Sequence, residues 1–167
     1  MSKIESILVE NRVFPVNPKF AAEANIRSEQ QYQSMINHAK EDYQGYWADL
    51  ARQYIDWHTP FSKTLNEENA LFYRWFEDGK LNVSYNCLDR HLLTHPHKTA
   101  IIFESDGGHV DTVTYKELHT KVCRFANGLK SLGVIKGDRV VIYLPNSIEV
   151  IVAMQACARI GAIHSVV

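Results

Sequence analysis

The chain has 167 residues, 46% of them hydrophobic and 22% charged, with a formal net charge of −1. Those proportions belong to a folded globular protein, and a near-neutral chain carries no field that would steer it to nucleic acid or to an anionic membrane. Met1 to Phe14 includes Glu5, Glu10 and Asn11 and has no long apolar core ahead of a small-residue cleavage site, so no secretory signal is expected.

Taken from the amino end, Ser28-Glu29-Gln30-Gln31 has the form of a capping box. It opens a helix carrying Tyr32, Met35, Ile36 and Ala39. A second helix is expected to bear Tyr43, Trp47, Leu50 and Tyr54. The three tryptophans, Trp47, Trp57 and Trp75, all fall before Ser84. Aromatics at such spacings could stack on bases or sugars, but packing surface for a helical arm is the commoner use. Phe72 to Val83 suggests a hairpin turning at Asp78-Gly79. Charge also divides here: nine basic face twelve acidic residues up to Val83, and nine face seven beyond it.

Asn86 to Leu93 suits a short helix capped by Asn86 and ended near Pro96. Ala100 to Glu104 and Val110 to Tyr115 flank Asp106-Gly107-Gly108, the pattern of a second hairpin. Thr114 and Glu117 are spaced for a reciprocal capping box. The helix that follows has an apolar stripe of Leu118, Val122, Phe125, Ala126, Leu129 and Leu132, with Gly133 as its left-handed stop. Gly137-Asp138 then turns the chain into Val140 to Leu144, a β-branched apolar run suited to a strand covered on both faces. Pro145 ends it, and Asn146 or Ser147 can cap the next helix, with Glu149 in its first turn. That helix, Ile148 to Ile160, is apolar nearly all round, as a helix buried in a larger domain is. A membrane span needs roughly 20 apolar residues; Glu149, Arg159 and His164 interrupt a stretch of that length, and an arginine near its middle is too costly. His164 to Val167 begins another strand. The class is α/β, and the pattern is a βαβ unit that the reading expects to continue past Val167.

Candidate chemistry is sparse. His91, His95 and His97 form H-x3-H-x-H, but Pro96 bends the chain and no glutamate follows His91, so a metal site is not expected. No G-x-G-x-x-G follows the strand ending at Leu144; Pro145-Asn146-Ser147 stands there. Neither G-x-x-x-x-G-K-[ST] nor G-x-S-x-G occurs. Asp89-Arg90 and Asp138-Arg139 read as surface or capping charges. Cys87, Cys123 and Cys157 are distant and odd in number, which suits buried, reduced thiols of a cytoplasmic protein.

Three stretches are more specific. Phe72 to His91 (FYRWFEDGKLNVSYNCLDRH), Val113 to Pro145 and Ala156 to Val167 (ACARIGAIHSVV) resemble the acetyl-CoA synthetase family, AMP-forming acetate–CoA ligases of the adenylate-forming superfamily. The resemblance is close from about Tyr32 onward and poor over Met1 to Arg27. Trp75 with Asp78-Gly79, Leu81-Asn82, and Asn86-Cys87-Leu88-Asp89-Arg90-His91 mark the acetyl- and propionyl-CoA branch. It implies a helical and hairpin extension over residues 1–83 and, over 84–167, the first, incomplete βαβ portion of a large adenylate-forming catalytic domain. The implied parent activates acetate with Mg-ATP to acetyl-adenylate and then transfers the acetyl group to CoA. Its catalytic, cofactor-binding and metal residues are expected beyond Val167, so none is assigned within this chain. The implied partners are the remainder of the enzyme and its small-molecule substrates, with no nucleic acid and no membrane. A propionyl-CoA synthetase fragment and a non-catalytic interaction module are the alternatives; the apolar end at Ile163 to Val167 speaks against the module.

Overall fold

Local capping rules account for most helix starts in the computed structural model, which describes residues 12–167. The secretory reading of Met1 to Phe14 therefore rests largely outside the described residues. The backbone falls into two units, one ending at Trp47 and one running from Ala48 to Val167.

In the first unit, Asn17 caps α1 (Pro18–Glu23) by accepting from the backbone N–H groups of Lys19 and Phe20, and Pro18 occupies the first turn, where its missing N–H costs nothing. Ser28 Oγ accepts from Gln31 N–H at the start of α2 (Glu29–Glu41). The expected box is only half made, because Gln31 Oε1 accepts from Arg27 N–H instead of Ser28 N–H. Asp42 Oδ1 accepts from Gly45 N–H and so opens α3 (Tyr43–Tyr54), which crosses into the second unit.

The side chains that α3 buries are Ala48 and Ala51, while Tyr43, Trp47 and Tyr54 are exposed within the described residues. Ala48 and Ala51 pack with Phe61, Trp57 and Phe76. The Trp57, Phe61 and Phe76 rings lie 4.5–5.6 Å apart in tilted and edge contacts, and Trp57 Nε1 donates to the Ala51 carbonyl. The hairpin expected within Phe72 to Val83 does not form. β2 (Arg74–Trp75) pairs backward with β1 (Leu65–Asn66), and Lys80 bridges Thr59. The reason is Asp78: its carboxylate accepts from Ser62 and Lys63, which ties the turn to the preceding segment. Those hydrogen bonds from Ser62 and Lys63 hold the Asp78 carboxyl below its ordinary value.

The short helix also starts earlier than expected. α4 spans Val83–Cys87 with Asn82 as its cap, followed by a 3-10 turn at Asp89–His91. Asn86 is engaged elsewhere, exchanging hydrogen bonds with both backbone groups of Asp56. β3 (Thr99–Glu104) and β4 (Val110–Thr114) form the expected antiparallel hairpin, with an irregularity between Thr99 and Ile101. Both halves of the Thr114–Glu117 box are present at the head of α5 (Tyr115–Ser131). Leu118, Val122 and Ala126 carry its buried stripe, whereas Phe125 and Leu132 are exposed.

β5 (Arg139–Ile142), α6 (Ile148–Ile160) and β6 (Ile163–Val166) make the βαβ unit, with the strands parallel and Val140 opposite His164. Val152 and Ala156 of α6 complete the main core with Leu88, Val113, Leu118, Val122 and Ala126. Two expectations fail here. Ser147 sits at the cap position of α6 but makes no side-chain cap bond. β5 is covered on one face only, since Val141 is 67% and the following Tyr143 85% exposed. A parallel strand's apolar run needs a layer on each side, and the described residues supply one.

The three cysteines differ from one another as well. Cys157 is buried, and that burial raises its thiol pKa; Cys123 is half-buried and Cys87 exposed. No described helix is long and apolar enough to cross a membrane.

Two glycines give opposite tests of backbone logic. Gly161 ends α6 at φ 76°, and a Cβ there would stand 2.9 Å from Lys136 Cγ. Gly128 lies inside α5 with nothing near its absent Cβ. Gly161→Ala is expected to destabilise by about 1–2 kcal/mol, because alanine resists positive φ, while Gly128→Ala stabilises by about 0.5–1 kcal/mol. Urea midpoints for the pair check this, and shifts of the same sign would contradict it.

Candidate functional site

The polar groups of the second unit gather on the segment from Asn82 to Arg90. Asn82 works in two directions. Its Oδ1 accepts from Tyr85 N–H to cap α4, and its Nδ2 donates to two carbonyls in the last turn of α6, that of Arg159 and that of Ala158, which also accepts from Gly161 N–H. Seven residues on, Asp89 receives Arg159 through two nitrogens at 2.6 and 2.8 Å, a forked pairing of carboxylate and guanidinium. His119 Nε2 of α5 lies 3.2 Å from the same carboxylate. Arg90 donates to the Tyr54 carbonyl and to Asn86 Oδ1. One short stretch thus ties together the end of α3, the first half of α5 and the end of α6.

Asp89 and Arg159 are mostly buried, with side chains 19% and 28% exposed. Hydrogen bonds from Arg159, and then its positive charge, lower the Asp89 pKa despite partial burial, with His119 adding to the effect. The same pairing raises that of Arg159. The reading of Asp89 as a surface or capping charge is therefore corrected. Asp138 does act locally, accepting from Ile135 N–H in the turn before β5.

Cys123 Sγ is 3.5 Å from His119 Nε2, so Cys123, His119 and Asp89 invite comparison with a thiol catalytic triad. The geometry rules that out. A triad needs one ring nitrogen for the nucleophile and the other for the carboxylate, whereas here Nε2 faces both groups and also Arg159 at 3.4 Å. Of the other histidines, His91 packs its ring against Tyr115, and His95 Nδ1 lies 2.7 Å from Thr94 Oγ1. Among the described residues no group of three or more His, Cys, Asp or Glu side chains could hold a metal ion.

An open groove of about 950 Å³ is lined by Trp57, His58, Lys80, Asn82, Tyr85 and Lys136, among others. Its position matters more than its size. Lys136 precedes β5, and Asn82 holds the end of α6, so the groove lies toward the amino ends of the parallel strands. Open parallel sheets take their ligands outside the carboxyl ends, which here are the stretches after Ile142 and Val166. Sequence reasoning missed Asn82 and the Asp89–Arg159 pair. The only hint was an arginine in an otherwise apolar helix, and 70 residues of separation hide its partner.

Comparison with known proteins gives two adjacent family matches, which meet between residues 87 and 88. Residues 32–87 match the family described as acetyl-coenzyme A synthetase N-terminus, and residues 88–167 match AMP-binding enzyme. The chain is 66% identical over 167 residues to an acetyl-coenzyme A synthetase of Thiobacillus denitrificans and 61% identical to one of Nitrosomonas europaea. Each alignment covers 100% of this chain, residues 1–27 included, and 26% of the relative. The chain therefore spans about a quarter of the length of these curated relatives. Among solved structures it is similar to acetoacetyl-CoA synthetase from Streptomyces lividans, with a TM-score of 0.75 and 26% identity over 90% of this chain and 23% of that one.

Proposed function

We propose, from the premise that this chain belongs to the acetyl-coenzyme A synthetase family, that it forms the amino-terminal part of an AMP-forming acetate–CoA ligase. The whole protein would make acetyl-CoA from acetate, ATP and CoA by way of acetyl-adenylate. The observation that carries this is the 66% identity running the whole length of the chain, across both family matches. In this reading residues 1–83 are the family's amino-terminal extension and residues 84–167 open the AMP-binding domain. The three free cysteines support a cytoplasmic location.

The part these residues play is architectural. Activating a carboxylate with ATP brings an anion against a polyanion, so cations and backbone amides must offset charge where it develops. In this reading the residues that hold magnesium lie beyond Val167, and among the described residues no group of three or more His, Cys, Asp or Glu side chains gathers. No Gly-x4-Gly-Lys-Ser/Thr phosphate loop occurs in the sequence either. No step is therefore assigned to residues of this chain. What it contributes is the first parallel pair of a sheet, fastened by the Asn82–Arg90 segment.

Acetate-dependent ATP–pyrophosphate exchange tests the reading. The whole protein should catalyse it, preferring acetate to propionate by a graded factor, because one methylene is worth about 1–3 kcal/mol in a pocket. Residues 1–167 alone should give no exchange and no saturable binding of ATP or CoA. Exchange by the 167-residue chain would show that the active site has been misplaced, and a whole protein inert toward acetate would remove the ligase assignment.

A further inference from the structure

We infer that the groove beside Lys80, with a smaller concavity next to it, docks a short acidic segment of a partner protein. The segment lies across Lys80, Lys136 and Lys130 and seats an apolar side chain between them. None of this depends on the ligase reading. The groove of about 950 Å³ has a neighbour of about 530 Å³, to which Lys130, Ile135 and Arg159 contribute, and Lys136 lines both. Among the described residues the ion-paired lysine is Lys63, held by Glu68, so Lys80, Lys130 and Lys136 keep their charges for a ligand. Asp56 is the one carboxylate in the two linings, and it lies 3.8 Å from Arg90.

Two of the three lysines stand on fixed backbone. Lys80 N–H donates to the Thr59 carbonyl, and the Lys80 carbonyl accepts from His58 and Thr59. Lys136 lies in the turn where Asp138 Oδ2 accepts from Ile135 N–H and Gly137 N–H donates to the Gly161 carbonyl. Its stem runs against Gly161, whose missing side chain leaves room for it. Cations on such ground lose little freedom when an anion arrives. Apolar surface alternates with them: Tyr85 and Leu81 in the first concavity and Ile135 in the second, all more than a third exposed. Small-molecule sites enclose most of their ligand, whereas both concavities are open and adjoin end to end, as suits an extended chain. They also lie toward the amino ends of β5 and β6, away from where a parallel sheet takes its substrates.

Fluorescence anisotropy with a labelled peptide tests this on the whole protein. The probe has about twelve residues, alternates glutamate with leucine and tyrosine, and extends to about 40 Å. It should bind saturably, in the range of tens of micromolar, and about tenfold more weakly on raising salt from about 0.05 to about 0.3 M. Lys80→Gln and Lys136→Gln should each weaken it about fivefold and Tyr85→Ala about threefold, while Lys136→Arg stays within about twofold. Lys121, exposed on α5 and lining neither concavity, is the control, and Lys121→Gln should leave binding within about twofold. The same peptide with glutamine for glutamate should not compete. Absence of saturable binding, or equal losses in Lys121→Gln and Lys136→Gln, would overturn the inference. So would displacement by single-stranded RNA, which would make this a nucleic-acid surface, or by ATP, which would make it a substrate site.

Discussion

Arg159→Ala is expected to destabilise the second unit by about 2–3 kcal/mol, below the ~3–5 kcal/mol of a fully buried pair because both partners keep some solvent. The loss comes less from the missing guanidinium than from what it leaves behind. Asp89, only 19% exposed with Arg159 in place, would be left in a partly buried site with His119 as its remaining side-chain partner. Asp89→Ala should cost a similar amount by stranding Arg159. The double variant should therefore cost clearly less than the two losses added together, and the coupling measures the pair. Urea unfolding followed by tryptophan fluorescence supplies the four free energies. Additive losses would mean that the pair is no more than two adjacent surface charges.

Acid dependence gives the same pair an independent signature. The Asp89 carboxyl is depressed in the folded protein from its ordinary 3.8, by the Arg159 hydrogen bonds first. The unfolded state then binds this proton more readily than the folded state, so the stabilisation is complete above the ordinary value. It is lost as pH falls below that value and through the lowered one. Wild type should consequently lose more stability than the double variant between neutral pH and about pH 3. Equal losses would remove Asp89 as the source.

The 167-residue chain, prepared by itself, is expected to bind an apolar dye strongly and to elute as more than a monomer. Val141, Tyr143, Leu144, Ile163 and Val166 are all exposed on or next to the parallel pair. Among the described residues this sheet has two strands, so each presents one unpaired edge. Apolar surface beside an open edge invites association. Val141→Lys should reduce both dye binding and size while leaving the helical signal unchanged. A monodisperse wild-type chain without dye binding would contradict the prediction and favour an independent interaction module.

What could be read from sequence follows the range of the interaction. The Thr114–Glu117 box, the Gly133 stop and the β3–β4 hairpin depend on residues within a few positions of one another, and each stands where local chemistry puts it. The family resemblance was legible for a related reason, since the Asn82 to His91 motif is contiguous. Its physical meaning was not. Asn82 caps a helix end 76 residues away, and Asp89 meets Arg159 across 70.

The misreadings arose where a side chain had two possible partners. Asp78 left its own turn for Ser62, Asn86 left the cap position for Asp56, and the apolar run of β5 found one covering layer where its composition suits two. Periodicity and capping state what each segment can do, and these determined the α/β class and the order of elements from β3 to β6. Which long-range partner a carboxylate or amide accepts depends on desolvation and distance after the chain has closed on itself. Only the tertiary structure decided that, and so only it turned a capping charge into the fastening of the α6–β6 corner.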